Sequence, residues 1–372
     1  MKFICGFLAL FIASAQAQTV YPLMPNIEVD SILAVKPGAT KIAYDALSNH
    51  LYYSTVDGNI YRVNMLGTGA ATDTLMYTAS NHGITFLQGL FFKDSTLFVC
   101  GNNWGAVMTI GMVVKGVLQP NGMRQWINVV TTDPYPMASI SGDHGFSAVH
   151  VDPTGNYIFV SSGARTHLGE VRTFFGSCPN CREIPITSKI FRFPVQSVGL
   201  TLPNDSTALS NSGYLFASGT RNAYAMAWDA NQNLFAIDNS GERDDPEELN
   251  WIRQGHHYGF PWRMGGNDNP LRFPPYDVNQ DALVNPLCAG YINGWFANDT
   301  TFPPVPQGVT FTDPIRNYGV DADYFRTPTG QVNNASDMGS YITTFTAHRS
   351  PLGLVTDADS VLPAPYTGLA FV

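Results

Sequence analysis

The sequence predicts an all-β protein of the propeller type. Charged residues make up only 13% of the chain, while glycines and prolines number 34 and 25. That composition favours many short strands joined by structured loops, and few stretches carry apolar residues at helical spacing. One hairpin pattern also recurs along the chain: an apolar strand ending in Asp, a short turn, and an aromatic-rich strand. Recurrence at intervals of tens of residues is the sequence signature of propeller blades, because each small sheet needs neighbours to bury both faces. An array of β-sandwiches is the competing arrangement.

In chain order, the first element is an export signal. In MKFICGFLALFIASAQAQ, Lys2 precedes an apolar run from Phe3 to Ala13, and Ala15-Gln16-Ala17 offers a small-x-small cleavage pattern. Residues 1–17 therefore read as a signal peptide, and the mature protein as secreted or periplasmic. No later segment reaches the roughly 18–20 uninterrupted apolar residues of a membrane helix. Residues 18–372 read as a single propeller domain. Its hairpins are IAYDALSNHLYYST from Ile42, GLFFKDSTLFVCGN from Gly89, AVHVDPTGNYIFVSSG from Ala148 and AMAWDANQNLFAIDN from Ala225. Their turns use Asp, Asn, Pro and Gly for the backbone conformations these residues tolerate. The longest insertion lies between Arg253 and about Tyr341; rich in Pro, Gly, Asn and aromatics, it is expected to form ordered loops on one rim, where propellers carry function.

The net charge of −9 and the lack of a Lys/Arg stripe argue against a nucleic-acid partner. Of five cysteines, Cys5 leaves with the signal peptide. The remaining Cys100, Cys178, Cys181 and Cys288 read first as disulfides, with Cys178-Pro-Asn-Cys181 a loop staple rather than a redox or zinc motif. Asp277-Val-Asn279-Gln-Asp281 imitates the opening of an EF-hand. The position of that loop's bidentate Glu falls on Cys288, so a local turn cluster is expected instead. His256 and His257 are adjacent and should point apart. Glu242, Asp244 and Asp245 are expected to cap a helical turn starting near Pro246, since acids favour helix N-termini.

Three pieces carry a family resemblance: SGDHGFSAVHVDPTGNYIFVSSG, SKIFRFPV, and GTRNAYAMAWDANQNLFAIDNSGERDDPEELNWIRQGHHYGFPW. From His144 to Trp262 this order of motifs resembles the glucose/sorbosone dehydrogenases, six-bladed propellers that use pyrroloquinoline quinone (PQQ) and calcium. HRSPLGLVTD from His348 is a weaker match. The resemblance implies oxidation of an aldose to a lactone, with a small-molecule sugar as substrate and an external electron acceptor. It makes His144 the catalytic base, a role that suits an imidazole near neutral pH, and puts Asp143 against the substrate. It places Arg221 and Asn222 on the cofactor, where a guanidinium can fork onto carboxylate or quinone oxygens. Calcium would take the backbone carbonyls of Ser240 and Gly241 in the loop Asp238-Asn239-Ser240-Gly241.

Read without the family, Asp143-His144 opens a hairpin and Arg221-Asn222 is a capped turn. Two departures stand out. Some relatives carry an Asp about twenty residues after the histidine; here the stretch is Ser162-Gly163-Ala164-Arg165, with no carboxylate. The chain also stops at Val372, where the family continues into its closing blade, so a piece truncated at the C-terminus is expected. A propeller calcium lactonase and a non-enzymatic carbohydrate-binding or adhesion propeller are the alternative functions.

Overall fold

The computed structural model describes residues 30–65, 71–136, 144–174, 178–319, 324–327, 329 and 331–372. The signal-peptide segment and Asp143 lie outside these residues. Each recurring hairpin forms the first two strands of a sheet. The first blade runs Ala39–Asp45, His50–Thr55, Ile60–Asn64, Thr72–Tyr77 in simple antiparallel order. The second runs Phe86–Lys93, Thr96–Trp104, Met108–Leu118, Arg124–Thr132 and gains Leu200–Leu202 as a parallel edge strand. The third takes Phe146–Val151, Tyr157–Ser162, Lys189–Pro194 and Leu215–Ser218; the fourth takes Ala223–Trp228, Leu234–Asp238 and Glu248–Ile252.

The turns explain why the pattern repeats. Asp45 Oδ1 accepts the N–H of Leu47 at 3.1 Å, Asp152 Oδ1 that of Tyr157 at 2.7 Å, and Asp229 Oδ1 that of Asn233 at 2.7 Å. Each carboxylate closes its own turn, as Asx motifs do. In the second blade Lys93 pairs directly with Thr96, so the turn is two residues long, and Asp94 takes a left-handed φ of 49°.

Successive sheets pack face to face in series. Leu97 and Val99 join Tyr52 and Ile60 in the core between blades one and two. Phe98 and Cys100, on the opposite face of the same strand, join Phe146, Val149 and Phe191 between blades two and three. Ala148, Phe159 and Ile190 meet Met226, Leu234 and Ile252 between blades three and four. A strand covered on both faces needs apolar residues at every position, which is why TLFVC does not alternate. Burying one such Phe or Leu contributes about 1.5–3 kcal/mol. The first strands of the four blades lie side by side, so the arrangement is propeller-like, with four blades among the described residues, and not a row of sandwiches.

Two expectations fail. No helical turn starts near Pro246: Glu248–Ile252 pairs with Leu234–Asp238 as the third strand of its blade. Alternation decides this, because Glu248, Asn250 and Ile252 point inward while Trp251 is exposed. The acids before it are held by side chains instead, Asp245 by Arg243 at 2.5 Å and Asp244 by His348 at 2.8 Å. Among the cysteines, Cys178 and Cys181 form a disulfide, but Cys100 and Cys288 are free. Cys100 is sealed in the core between two blades, and Cys288 Sγ accepts the N–H of Tyr291 at 3.4 Å. Asp277 caps a short 3-10 turn, and Asp281 pairs with Arg243 at 2.8 Å. His256 bonds Thr312 and His257 lies against Trp262 and Phe311, so the two rings do diverge.

Candidate active site

In an antiparallel hairpin the start of the first strand and the end of the second lie at the same place. In the third blade this juxtaposes His144, just before Phe146–Val151, with Gly163 and Ala164, just after Tyr157–Ser162. In the fourth blade it juxtaposes Arg221 and Asn222 with Asp238, Asn239, Ser240 and Gly241. The two ends are joined: Ala164 donates its N–H to Arg221 O at 2.6 Å. The structure thus brings His144, Arg221, Asn222, Ser240 and Gly241 to one end of neighbouring blades.

His144 is half-buried and held from several sides. Its N–H and its Nδ1–H both point at Ala164 O, at 3.1 and 3.0 Å. A ring nitrogen this close to a carbonyl must carry the hydrogen, so Nε2 is the nitrogen with the lone pair. A main-chain carbonyl, Ala164 O, thus orients the ring. Gly145 follows with a left-handed φ of 57°, and a Cβ there would collide with the side chain of Asn102. Asn102 is buried in the second blade and bonds both the N–H and the carbonyl of Phe146, at 2.9 and 3.1 Å. Gly163 is the other tight point: a Cβ would overlap His144 Cβ and sit 3.3 Å from Asn222 Oδ1.

Asp238 anchors the fourth-blade half. Its carboxylate accepts the main-chain N–H of Arg221 at 2.8 Å and that of Asn222. Burial raises its pKa to about 6, against those two N–H groups and the Arg221 charge, which lower it. The Arg221 guanidinium, 3% exposed, donates to His167 O at 3.0 Å, Asn239 O at 3.1 Å and Ser240 O at 2.8 Å. Asn222 Nδ2 donates to Asn239 Oδ1 at 3.0 Å.

His167 was not identifiable from sequence. It lies in the buried loop 164–170, which follows the strand Tyr157–Ser162. Its Nδ1 is 3.4 Å from Arg221 Nη2, and its ring stacks on Trp295 with centroids 4.4 Å apart. Burial, then the charges of Arg221, Arg172 and His144, pull its pKa down to about 2, so it stays neutral and cannot serve as a base near pH 7. Glu183 fixes the loop by accepting from the N–H groups of Arg165 and Thr166 and the hydroxyls of Thr166, Thr187 and Ser188. Lone polar residues in an aperiodic loop give no spacing signal. The long insertion packs on this loop, with Asn269 reaching Leu168 O and Arg182 pairing with Asp299.

Comparison with known proteins bears on the same segment. The glucose/sorbosone dehydrogenase family model matches residues 138–287. No curated protein matches the chain. Solved structures similar to it include the PQQ-bound aldose sugar dehydrogenase of Streptomyces coelicolor, at 17% identity over 65% of this chain and 68% of that one, with a TM-score of 0.42. The apo soluble aldose sugar dehydrogenase of Escherichia coli is 17% identical over 65% of this chain and 67% of that one, with a TM-score of 0.46. A calcium structure of a Trichoderma reesei carbohydrate-active enzyme of family AA12 is 12% identical over 63% and 59%, with a TM-score of 0.41.

The two groups that the glucose/sorbosone dehydrogenase resemblance implies fit this site differently. A buried guanidinium and the buried, unpartnered Asn222 Oδ1, His167 Nε2 and Ser240 Oγ suit an anionic, hydrogen-bonding ligand such as PQQ. Calcium at Ser240 does not fit, because Ser240 O already accepts from Arg221 Nη1 at 2.8 Å. A dication about 4 Å from a guanidinium is opposed by roughly 8 kcal/mol at an effective dielectric of 20. Gly241, the other expected ligand, borders the same guanidinium: its Cβ would lie 3.6 Å from Arg221 Nε.

Proposed function

We propose that the protein is a quinoprotein sugar dehydrogenase, oxidising an aldose at its anomeric carbon to a lactone and passing electrons to an external acceptor. The observation that carries this reading is the His144 ring, whose Nδ1–H is tied to Ala164 O at 3.0 Å so that Nε2 can accept a proton. Such a positioned base contributes typically ~10²–10⁴ in rate. Arg221 and Asn222 would hold PQQ, and Asp143, next to His144 in sequence, would face the sugar. When bound, PQQ supplies a carbonyl that accepts the anomeric hydrogen with its electron pair. His144 takes the proton of the anomeric hydroxyl, so the sugar loses two electrons and two hydrogens overall. The Arg221 charge favours binding of an anion and of electron density developing beside it.

The same reading takes the four blades as part of a six-bladed propeller in one domain and removes residues 1–17 on export. The test is to load the purified full chain with PQQ, with and without added calcium, and to follow bleaching of an electron-accepting dye across a panel of aldoses. Lactone formation with dye reduction is expected. Sugar binding without turnover across the panel would overturn the assignment and leave a carbohydrate-binding propeller.

A further inference from the structure

We infer that the Arg221 guanidinium is the resident cation of this site, standing on the loop carbonyls where the family resemblance puts calcium, and that the site takes its anionic ligand without a divalent metal. The inference rests on the sugar-oxidation reading only for PQQ as a probe; its metal readout does not depend on turnover.

Calcium takes six to eight oxygens at about 2.3–2.6 Å. An ion at that distance from Ser240 O would share that oxygen with Arg221 Nη1, which sits 2.8 Å from it and 3.1 Å from Asn239 O, and would meet the repulsion of its charge. Among the described residues no group of three or more His, Cys, Asp or Glu side chains converges to hold a metal. The loop is shaped for the guanidinium: a Cβ on Gly241 would press within 3.0 Å of His167 O, the carbonyl that receives Arg221 Nε. Burial lowers the Arg221 pKa and the carboxylates of Asp238, Glu170, Glu183 and Glu247 oppose that shift; a guanidinium starts so far above neutrality that it keeps its charge at pH 7.

What the guanidinium leaves unused defines the ligand. Among the described residues Nη2 has one long contact, 3.4 Å, to His167 Nδ1. Asn222 Oδ1, His167 Nε2 and Ser240 Oγ are buried without a hydrogen-bond partner among the described residues. A matching molecule is small, turns carboxylate or carbonyl oxygens toward Arg221, and offers an N–H or O–H to Asn222.

The experiment uses the chelator-treated full chain. Calorimetric titration with calcium chloride alone should show no site tighter than about 1 mM. PQQ affinity, read by absorbance after gel filtration, should be the same in excess chelator and in calcium. Arg221→Gln should weaken PQQ at least about tenfold, and Arg221→Lys, which keeps the charge, should weaken it less. Should the Gln variant fail to fold, the parent's calcium titration and chelator comparison decide alone. One calcium bound at micromolar affinity, or PQQ retention lost to chelator and restored by calcium, would overturn the inference. If PQQ binds under no condition, the quinone reading fails, while the calcium titration still decides the cation.

Discussion

Gly163→Ala probes the placement of His144 without replacing it. The backbone at Gly163 has no left-handed requirement, so Ala is disfavoured only by space. Its Cβ would overlap His144 Cβ and stand 3.4 Å from Arg221 O and 3.3 Å from Asn222 Oδ1. Neither strand end can easily retreat: Gly163 N–H bonds Gly145 O at 2.7 Å, and His144 N–H bonds Ala164 O at 3.1 Å. His144 must therefore shift by about 1 Å, a displacement that can cost ~10²-fold in rate, and such overpacking typically destabilises by about 1–3 kcal/mol. Urea denaturation gives the stability, and dye reduction by the PQQ-loaded protein gives the rate. A variant with parental urea midpoint and parental turnover would refute the claim that Gly163 seats the His144 ring.

Asp238→Ala removes the acceptor of two buried N–H groups, those of Arg221 and Asn222, and should lower stability by about 2–6 kcal/mol in urea denaturation; a loss under 1 kcal/mol would show that the turn holds without it. Glu248→Gln tests a pH dependence. Burial raises the Glu248 pKa from 4.5 to about 8, so the folded state holds a proton that the unfolded chain releases, and stability falls as pH rises from 4.5 through 8. The variant keeps an acceptor for Gly265 N–H and lets Asn250 turn its unpartnered Oδ1 inward. Urea midpoints at pH 5 and pH 8.5 should show the variant gaining on the parent at the higher pH; an unchanged difference would mean that Glu248 is ionised in the fold.

The parts of the fold legible in the sequence are those in which one residue does a local job. Asp45, Asp152 and Asp229 each close a hairpin within five residues, so the pattern of strand, Asp, turn and strand reads directly. The apolar run at Leu97–Cys100 announces a strand covered on both faces. The third strand of the fourth blade was not legible: Asp-Asp-Pro-Glu-Glu carries the chemistry of a helix start, and only pairing with Leu234–Asp238 makes Glu248–Ile252 a strand. Site residues announced by motif, His144, Arg221 and Asn222, do converge, because both motifs sit where an inner strand begins. The rest of the site depends on long-range contacts. Nothing in Arg165-Thr-His167 signals that His167 will lie under Arg221, or that Glu183 will hold the loop through five donors.

Whether His144 Nε2 receives the proton in sugar oxidation is tested by single-turnover reduction of PQQ by an aldose in the parent and in His144→Asn, each first shown to retain PQQ. The variant should fold and bind PQQ like the parent while PQQ reduction slows at least about 10²-fold, consistent with loss of a general base. A variant that reduces PQQ at the parental rate would contradict the account and return His144 to a structural role at the start of its hairpin.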